Sequence, residues 1–178
     1  MNRIAKRGYF LGPQALCRFE QTEWTLKRRI GEKLKHGVIM HASSDSSAAD
    51  PLRVFIVDDF EPFRSSLRQL FNGFAELTVV GEAIDGRSAI EMACQLNPEV
   101  IIMDVQMPRM GGVEATRCIK KVRSDIHVIG VSSQDDTMTK DAMTAAGSSA
   151  FITKDCAYTL PFLIATITGT QITRDTRR

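Results

Sequence analysis

The sequence predicts an α/β fold in which a parallel five-stranded sheet carries helices on both faces. Three observations lead there. From Pro51 onward, short apolar runs alternate with longer segments of helical periodicity, five times over. Runs such as "EVIIM" (Glu99 to Met103) do not alternate apolar with polar, as expected of strands covered on both sides. Polar residues, acids above all, stand at the ends of these runs, on the edge where right-handed crossovers gather the carboxyl ends of parallel strands.

Each element follows in order. "LRVFIVDD" is a strand ending in two acids. "EPFRSSLRQLFNGF" is a helix with Phe63, Leu67, Leu70, Phe71 and Phe74 at helical spacing. "LTVVGEA" is the second strand. "GRSAIEMACQL" is a helix with Ile90, Ala93 and Cys94 on one side, stopped by Asn97 and Pro98. "EVIIMD" is the third strand, "GVEATRCIKKV" a helix, "HVIGVSS" the fourth strand, and "DDTMTKDAMTAAG" a helix closed by Gly147. "AFIT" is the fifth strand. The last helix starts near Leu160 or Pro161, because proline is accepted in a first helical turn, and is short and frayed at its end.

Charge divides the chain in two. Residues 1–37 sum to +6 and the remainder to −4, within a total of +2. The basic part holds "WTLKRRIGEKLKH", with Leu26, Ile30 and Leu34 on one helical stripe; it is read as a solvated basic extension, with nucleic acid or an anionic surface as the alternative partner. The expected organisation is an extension over 1–39, a Ser- and Ala-rich linker over 40–51, a main domain over 52–168 and a tail over 169–178. Met40 is read as a candidate for the true start of translation, which would make residues 1–39 an artefact of start-site choice. No run approaches the 18 apolar residues of a membrane span, and no signal-peptide core is present, which points to the cytoplasm. Cys17, Cys94, Cys118 and Cys156 lack metal-site or redox spacing and are read as reduced, packed thiols.

Asp58 and Asp59 end the first strand, Asp104 the third, Ser132 the fourth and Lys154 the fifth. Three carboxylates brought together repel one another, and a hard divalent cation relieves the repulsion. An oxygen-only donor set suits Mg²⁺ and disfavours zinc. With charge neutralised by metal and by Lys154, Asp104 has the chemistry of a carboxylate nucleophile toward phosphorus. Ser132 offers a hydroxyl donor, and Lys154 a point charge, to phosphoryl oxygens.

The Asp58-Asp59 pair, the D-x-x-M-P-x-M-x-G run from Asp104, Ser132 after "VIGV" and Lys154 in "AFITKD" together resemble the receiver domain of two-component response regulators, over roughly Leu52 to Ile167. The segment from Asp85 to Lys121 most resembles the NarL/FixJ branch. This resemblance implies a flavodoxin-like (βα)5 sandwich with strand order 2-1-3-4-5. It also implies phosphorylation of Asp104 by a sensor histidine kinase or phosphotransfer protein. Mg²⁺ is then held by Asp59 and Asp104, with Asp58 nearby and the Gln106 backbone carbonyl contributing. The receiver is no classical enzyme, yet it is expected to catalyse its own phosphorylation and dephosphorylation. Ser132 and Phe151 form the implied switch, biasing the face of the fourth helix, fifth strand and fifth helix toward a downstream protein or a second copy of the chain. Gln106 and Gln134 flank the approach of water and tune phosphoryl lifetime.

Taken singly, each residue has a plainer reading. The Asp pair is a helix cap, Ser132 a turn residue, Lys154 a surface charge, Phe151 core, and His36, His41 and His127 structural. Gly111 departs from the Asp or Asn usual in the family. Only 24 residues follow Lys154, too few for the helix-turn-helix output module of the branch, so DNA binding through such a module is not expected. The competing function is a truncated or degenerate regulator, a non-phosphorylated interaction module whose basic arm binds nucleic acid or anionic surfaces.

Overall fold

The computed structural model describes residues 50–174; the basic extension, its histidines, Cys17 and nearly all of the linker lie outside the described residues. The strands are β1 (Leu52–Val57), β2 (Leu77–Ala83), β3 (Val100–Asp104), β4 (His127–Ser132) and β5 (Ala150–Thr153). The helices are α1 (Glu61–Phe71), α2 (Gly86–Leu96), α3 (Gly112–Val122), α4 (Thr137–Ala145) and α5 (Leu160–Thr168). All strand pairs are parallel, in the order β2-β1-β3-β4-β5. Within β2, Val80 is an extra residue, since Val54 pairs with Val79 and Phe55 with Gly81. This is the flavodoxin-like arrangement that the resemblance implies.

Side-chain alternation along the central strands builds two cores at once. Val54, Ile56, Val100, Ile102, Ile129 and Val131 face α1 and α5, where Leu67, Phe71, Leu160 and Ile164 close over them. Phe55, Val57, Ile101, Met103 and Val128 face α2, α3 and α4, under Ala93, Ile119 and Met143. Burying each large side chain contributes about 1.5–3 kcal/mol before entropy is charged against it.

Helix α2 corrects two readings of the sequence. Its buried stripe is Gly86, Ala89 and Ala93, small residues spaced to let the helix lie close on the sheet, and Cys94, one step round, is exposed. Cys156 is exposed as well and Cys118 half-buried, so the packed reading of the thiols fails although all three are free.

Between β5 and α5 lies an element that the sequence reading did not include, while the start of α5 agrees with it. A 3-10 helix, Lys154–Thr159, intervenes, and α5 begins at Leu160 with Pro161 in its first turn. Gly169 ends α5 at φ +76°, the left-handed conformation that glycine enters without Cβ strain. Past that turn the chain comes back to the body. Ile172 packs on the α1/α5 core, Thr173 donates to Glu76 Oε1 from its backbone N–H (3.0 Å) and its hydroxyl (2.6 Å), and Arg174 bridges Phe74 antiparallel. None of the helices in the described residues is long and apolar enough to cross a membrane.

Candidate functional site

The carboxyl edge of the sheet gathers the polar residues because β1, β3, β4 and β5 all end there. β1 delivers Asp58, whose carboxylate is buried; Asp59, the next residue, is exposed. The Asp pair does not cap α1. Phe60 is the N-cap residue with no side-chain cap, and Asp58 Oδ1 accepts from the Phe60 N–H at 2.8 Å, a turn that aims the carboxylate inward.

β3 delivers Asp104, only 3% exposed, at the end of a fully buried strand. Gly112 makes the approach of α3 to this strand end tight: a Cβ there would lie 2.9 Å from the Asp104 carbonyl carbon and 2.9 Å from Met103 Cγ. The N–H of Gln106 donates to Asp104 Oδ1 at 3.2 Å.

One oxygen from each of Asp58, Asp59 and Asp104 falls within 4.8 Å of the others. Lys154, the first residue past β5, puts its ammonium 3.0 Å from Asp104 Oδ2 and 2.6 Å from Asp58 Oδ2. The contact to Asp104 is a hydrogen bond. The contact to Asp58 is a close charge pair on a buried oxygen.

Burial first, and the Asp58 charge second, push the Asp104 carboxyl above its ordinary range, against the pull of Lys154. Burial alone would lower the Lys154 ammonium, but Asp58 and Asp104 outweigh it and the net shift is upward. Three carboxylates face one ammonium, so negative charge remains in excess. An exposed carboxylate beside two buried ones, with oxygen donors only, fits a hard divalent cation.

Ser132 is fully buried at the end of β4, beside Thr153 in register, and its Oγ accepts from the Gln134 N–H at 3.1 Å. Phe151 is half-buried in β5, opposite Gly130; a Cβ on that glycine would lie 3.1 Å from the Phe151 ring and 2.7 Å from Met143 Cε. Gln106 and Gln134 are exposed at the rim. His127 opens β4, with Nδ1 3.2 Å from Ser149 Oγ, away from this edge.

Sequence reasoning missed the support of the loop between β3 and α3. Arg109 pairs with Asp85, whose carboxylate is buried and caps α2 by accepting from Ser88 N–H at 2.9 Å. The Ser88 hydrogen bond first, and Arg109 after it, hold the Asp85 carboxyl below its ordinary range despite burial. Gly86 N–H donates to Met110 O at 3.2 Å, and Gly112 N–H to Val105 O at 3.0 Å. Arg109 adopts φ +67°, unusual for a residue with a Cβ. Asp85 directly before a helix was the one signal available in the sequence.

Residues 54–163 match the family model described as the response regulator receiver domain. The chain is 41% identical over 106 residues to protein-glutamate methylesterase/protein-glutamine glutaminase 4 of Myxococcus xanthus, covering 59% of this chain and 30% of that protein. It is 34% identical over 103 residues to response regulator GacA of Pseudomonas viridiflava, covering 58% and 48%. It thus spans half or less of the length of these curated relatives. The response regulator domain of Thermotoga maritima CheB superposes with a TM-score of 0.62 at 30% identity, over 68% of this chain and 98% of that one. A parallel sheet in this order, an acidic cluster at its carboxyl edge and a match over residues 54–163 agree: the chain belongs to the response regulator receiver domain family of two-component signalling.

Proposed function

We propose that the protein is a phosphoacceptor that takes a phosphoryl group on Asp104 from a sensor histidine kinase or a phosphotransfer protein in the cytoplasm. The observation that carries this reading is the cluster of Asp58, Asp59 and Asp104 with Lys154 seated on two of them. Asp58, Asp59, Asp104 and the Gln106 carbonyl would hold Mg²⁺, which when bound neutralises charge and aligns the oxygens of the incoming phosphoryl group.

An Asp104 carboxylate oxygen attacks phosphorus. The bond from phosphorus to the donor's leaving atom breaks, and the leaving group departs with the bonding pair. Negative charge then shifts outward onto the phosphoryl oxygens. The Lys154 ammonium follows it, and the Ser132 hydroxyl turns from its local role to donate to another of these oxygens. Movement of Ser132 opens room beside β5 for Phe151 to turn further inward, biasing the surface formed by α4, β5 and α5 toward a protein target or a second copy of the chain. Phe151 has no hydroxyl, so the signal is one of shape.

Intact mass after incubation with acetyl phosphate, with and without Mg²⁺, tests the reading beside Asp104→Asn. One added phosphoryl group in the wild type, dependent on Mg²⁺ and absent from the variant, is the expected result. An unchanged wild-type mass, or a variant that gains the group equally, refutes it.

A further inference from the structure

Lys154 has a third neighbour that the carboxylate chemistry does not use. Its ammonium lies 4.8 Å from the centroid of the Phe63 ring, within cation–π range. Phe63 sits in the first turn of α1, half-buried, with its N–H bonded to Phe60 O at 3.1 Å. The backbone that carries the ring is thus tied to Phe60, the residue whose N–H also aims Asp58, and the ring itself packs on the α1/α5 core.

Burial makes this contact consequential. The Lys154 side chain is only 17% exposed, and an ammonium carries three N–H groups. Asp58 and Asp104 face two sides of it, at 2.6 and 3.0 Å. The electron-rich ring, 4.8 Å away, adds a third attraction where the ammonium has little access to water. An aliphatic residue at position 63 would fill the same space without attracting the charge.

We propose that Phe63 is a positioning residue that acts through Lys154. This rests on the reading of Asp104 as phosphoacceptor. When charge leaves the Asp104 carboxylate for the phosphoryl oxygens, the ammonium must exchange one carboxylate contact for a phosphoryl contact. Beside Asp58, the ring is a neighbour whose attraction does not change during that exchange, so it helps to hold the pivot on which Lys154 swings.

The test uses the full chain with acetyl phosphate and Mg²⁺, comparing Phe63→Leu, Phe63→Tyr and a series bearing one, two and three ring fluorines at position 63. Fluorine withdraws electron density from the ring face while nearly preserving its shape. Phosphorylation should slow about three- to tenfold in Phe63→Leu. It should return close to the wild-type rate in Phe63→Tyr and fall stepwise along the fluorine series, with circular dichroism unchanged. A packing role alone would not follow fluorination. NMR supplies a second readout: ring current should shift the Lys154 ε-methylene protons upfield in the wild type, identified by their loss in Lys154→Arg, and the shift should vanish in Phe63→Leu. A wild type that is phosphorylated beside a fluorine series whose rates stay level, or unshifted ε-protons, overturns the role of Phe63 alone. A wild type that takes no phosphoryl group at all overturns the phosphoacceptor reading and the role with it.

Discussion

Replacing Gly112 with alanine tests how the fold positions the site. The new Cβ would overlap the carbonyl oxygen of Asp104 and lie 2.9 Å from its carbonyl carbon and from Met103 Cγ, where ordinary contact begins at about 3.4 Å. Met103 can rotate away, but the Asp104 carbonyl belongs to the central strand and cannot. Relief requires β3 and α3 to separate by about 1 Å or more at this end, because the overlap with the carbonyl oxygen is the deepest of the three contacts and packed interiors tolerate only a few tenths of an ångström. Overpacking costs about 1–3 kcal/mol, with a clash against backbone at the upper end, and alanine returns up to about 1 kcal/mol of helix propensity, so the net loss is about 2 kcal/mol. The same displacement moves the Asp104 carboxylate, and a misplacement near 1 Å can slow a positioned reaction by about a hundredfold. Urea unfolding should show a midpoint lowered by about 1 M, and the rate of phosphoryl gain from acetyl phosphate should fall at least tenfold. Gly111→Ala is the control: its Cβ would lie 3.2 Å from a single oxygen, Val105 O, at an ordinary φ of −75°, a contact that a shift of a few tenths of an ångström relieves, and both measurements should change far less than in Gly112→Ala. A Gly112→Ala protein with wild-type stability and rate would refute the argument that this close approach sets the Asp104 carboxylate.

Two further outcomes follow from the same geometry. Because burial and Asp58 raise the Asp104 carboxyl in the folded chain, its ionisation opposes folding: the favourable contribution is full below the ordinary carboxyl value of about 4 and is lost as pH rises through the raised folded value. Asp104→Asn should therefore be the more stable protein at neutral pH without Mg²⁺, with the advantage shrinking toward pH 4; thermal unfolding across that range checks it, and an advantage that grows on acidification would contradict the sign. Gly130→Ala should press on Phe151 and Met143, lower the melting temperature by several degrees and shift the Phe151 ring signals in the NMR spectrum of the unphosphorylated protein, without abolishing phosphoryl uptake.

Most of the fold was readable from sequence because buried parallel strands are continuous apolar runs, and because β2 and α2 coincide with blocks bounded by turn residues. The site was readable for a related reason: a strand end is a definite place, and four strands ending in polar residues identify one edge. What escaped detection depends on tertiary contact. Nothing in a period of 3.6 distinguishes Cys94 from Ala93 once small residues select which stripe seats against the sheet. The 3-10 turn after Thr153 replaces a coil and follows from how Ala157 and Leu160 reach the core. Phe63 reads as one more apolar residue of a helix until Lys154 arrives from the end of β5, 91 residues on in the chain, a separation that local pattern cannot bridge.

The clasp on the loop between β3 and α3 has a thermodynamic meaning. Seven residues, Val105 to Gly111, separate the nucleophilic carboxylate from the next helix. Left free, each would have to be ordered when a phosphodonor docks, at about 1–2 kcal/mol of backbone entropy per residue. Here Arg109 on Asp85, Gly86 on Met110 and Gly112 on Val105 order the loop when the chain folds, and they hold even a left-handed arginine in place. The entropic cost falls on the folding equilibrium, once per chain, and is absent from every encounter with a donor. A loop prepared in this way can afford a weak, transient partner.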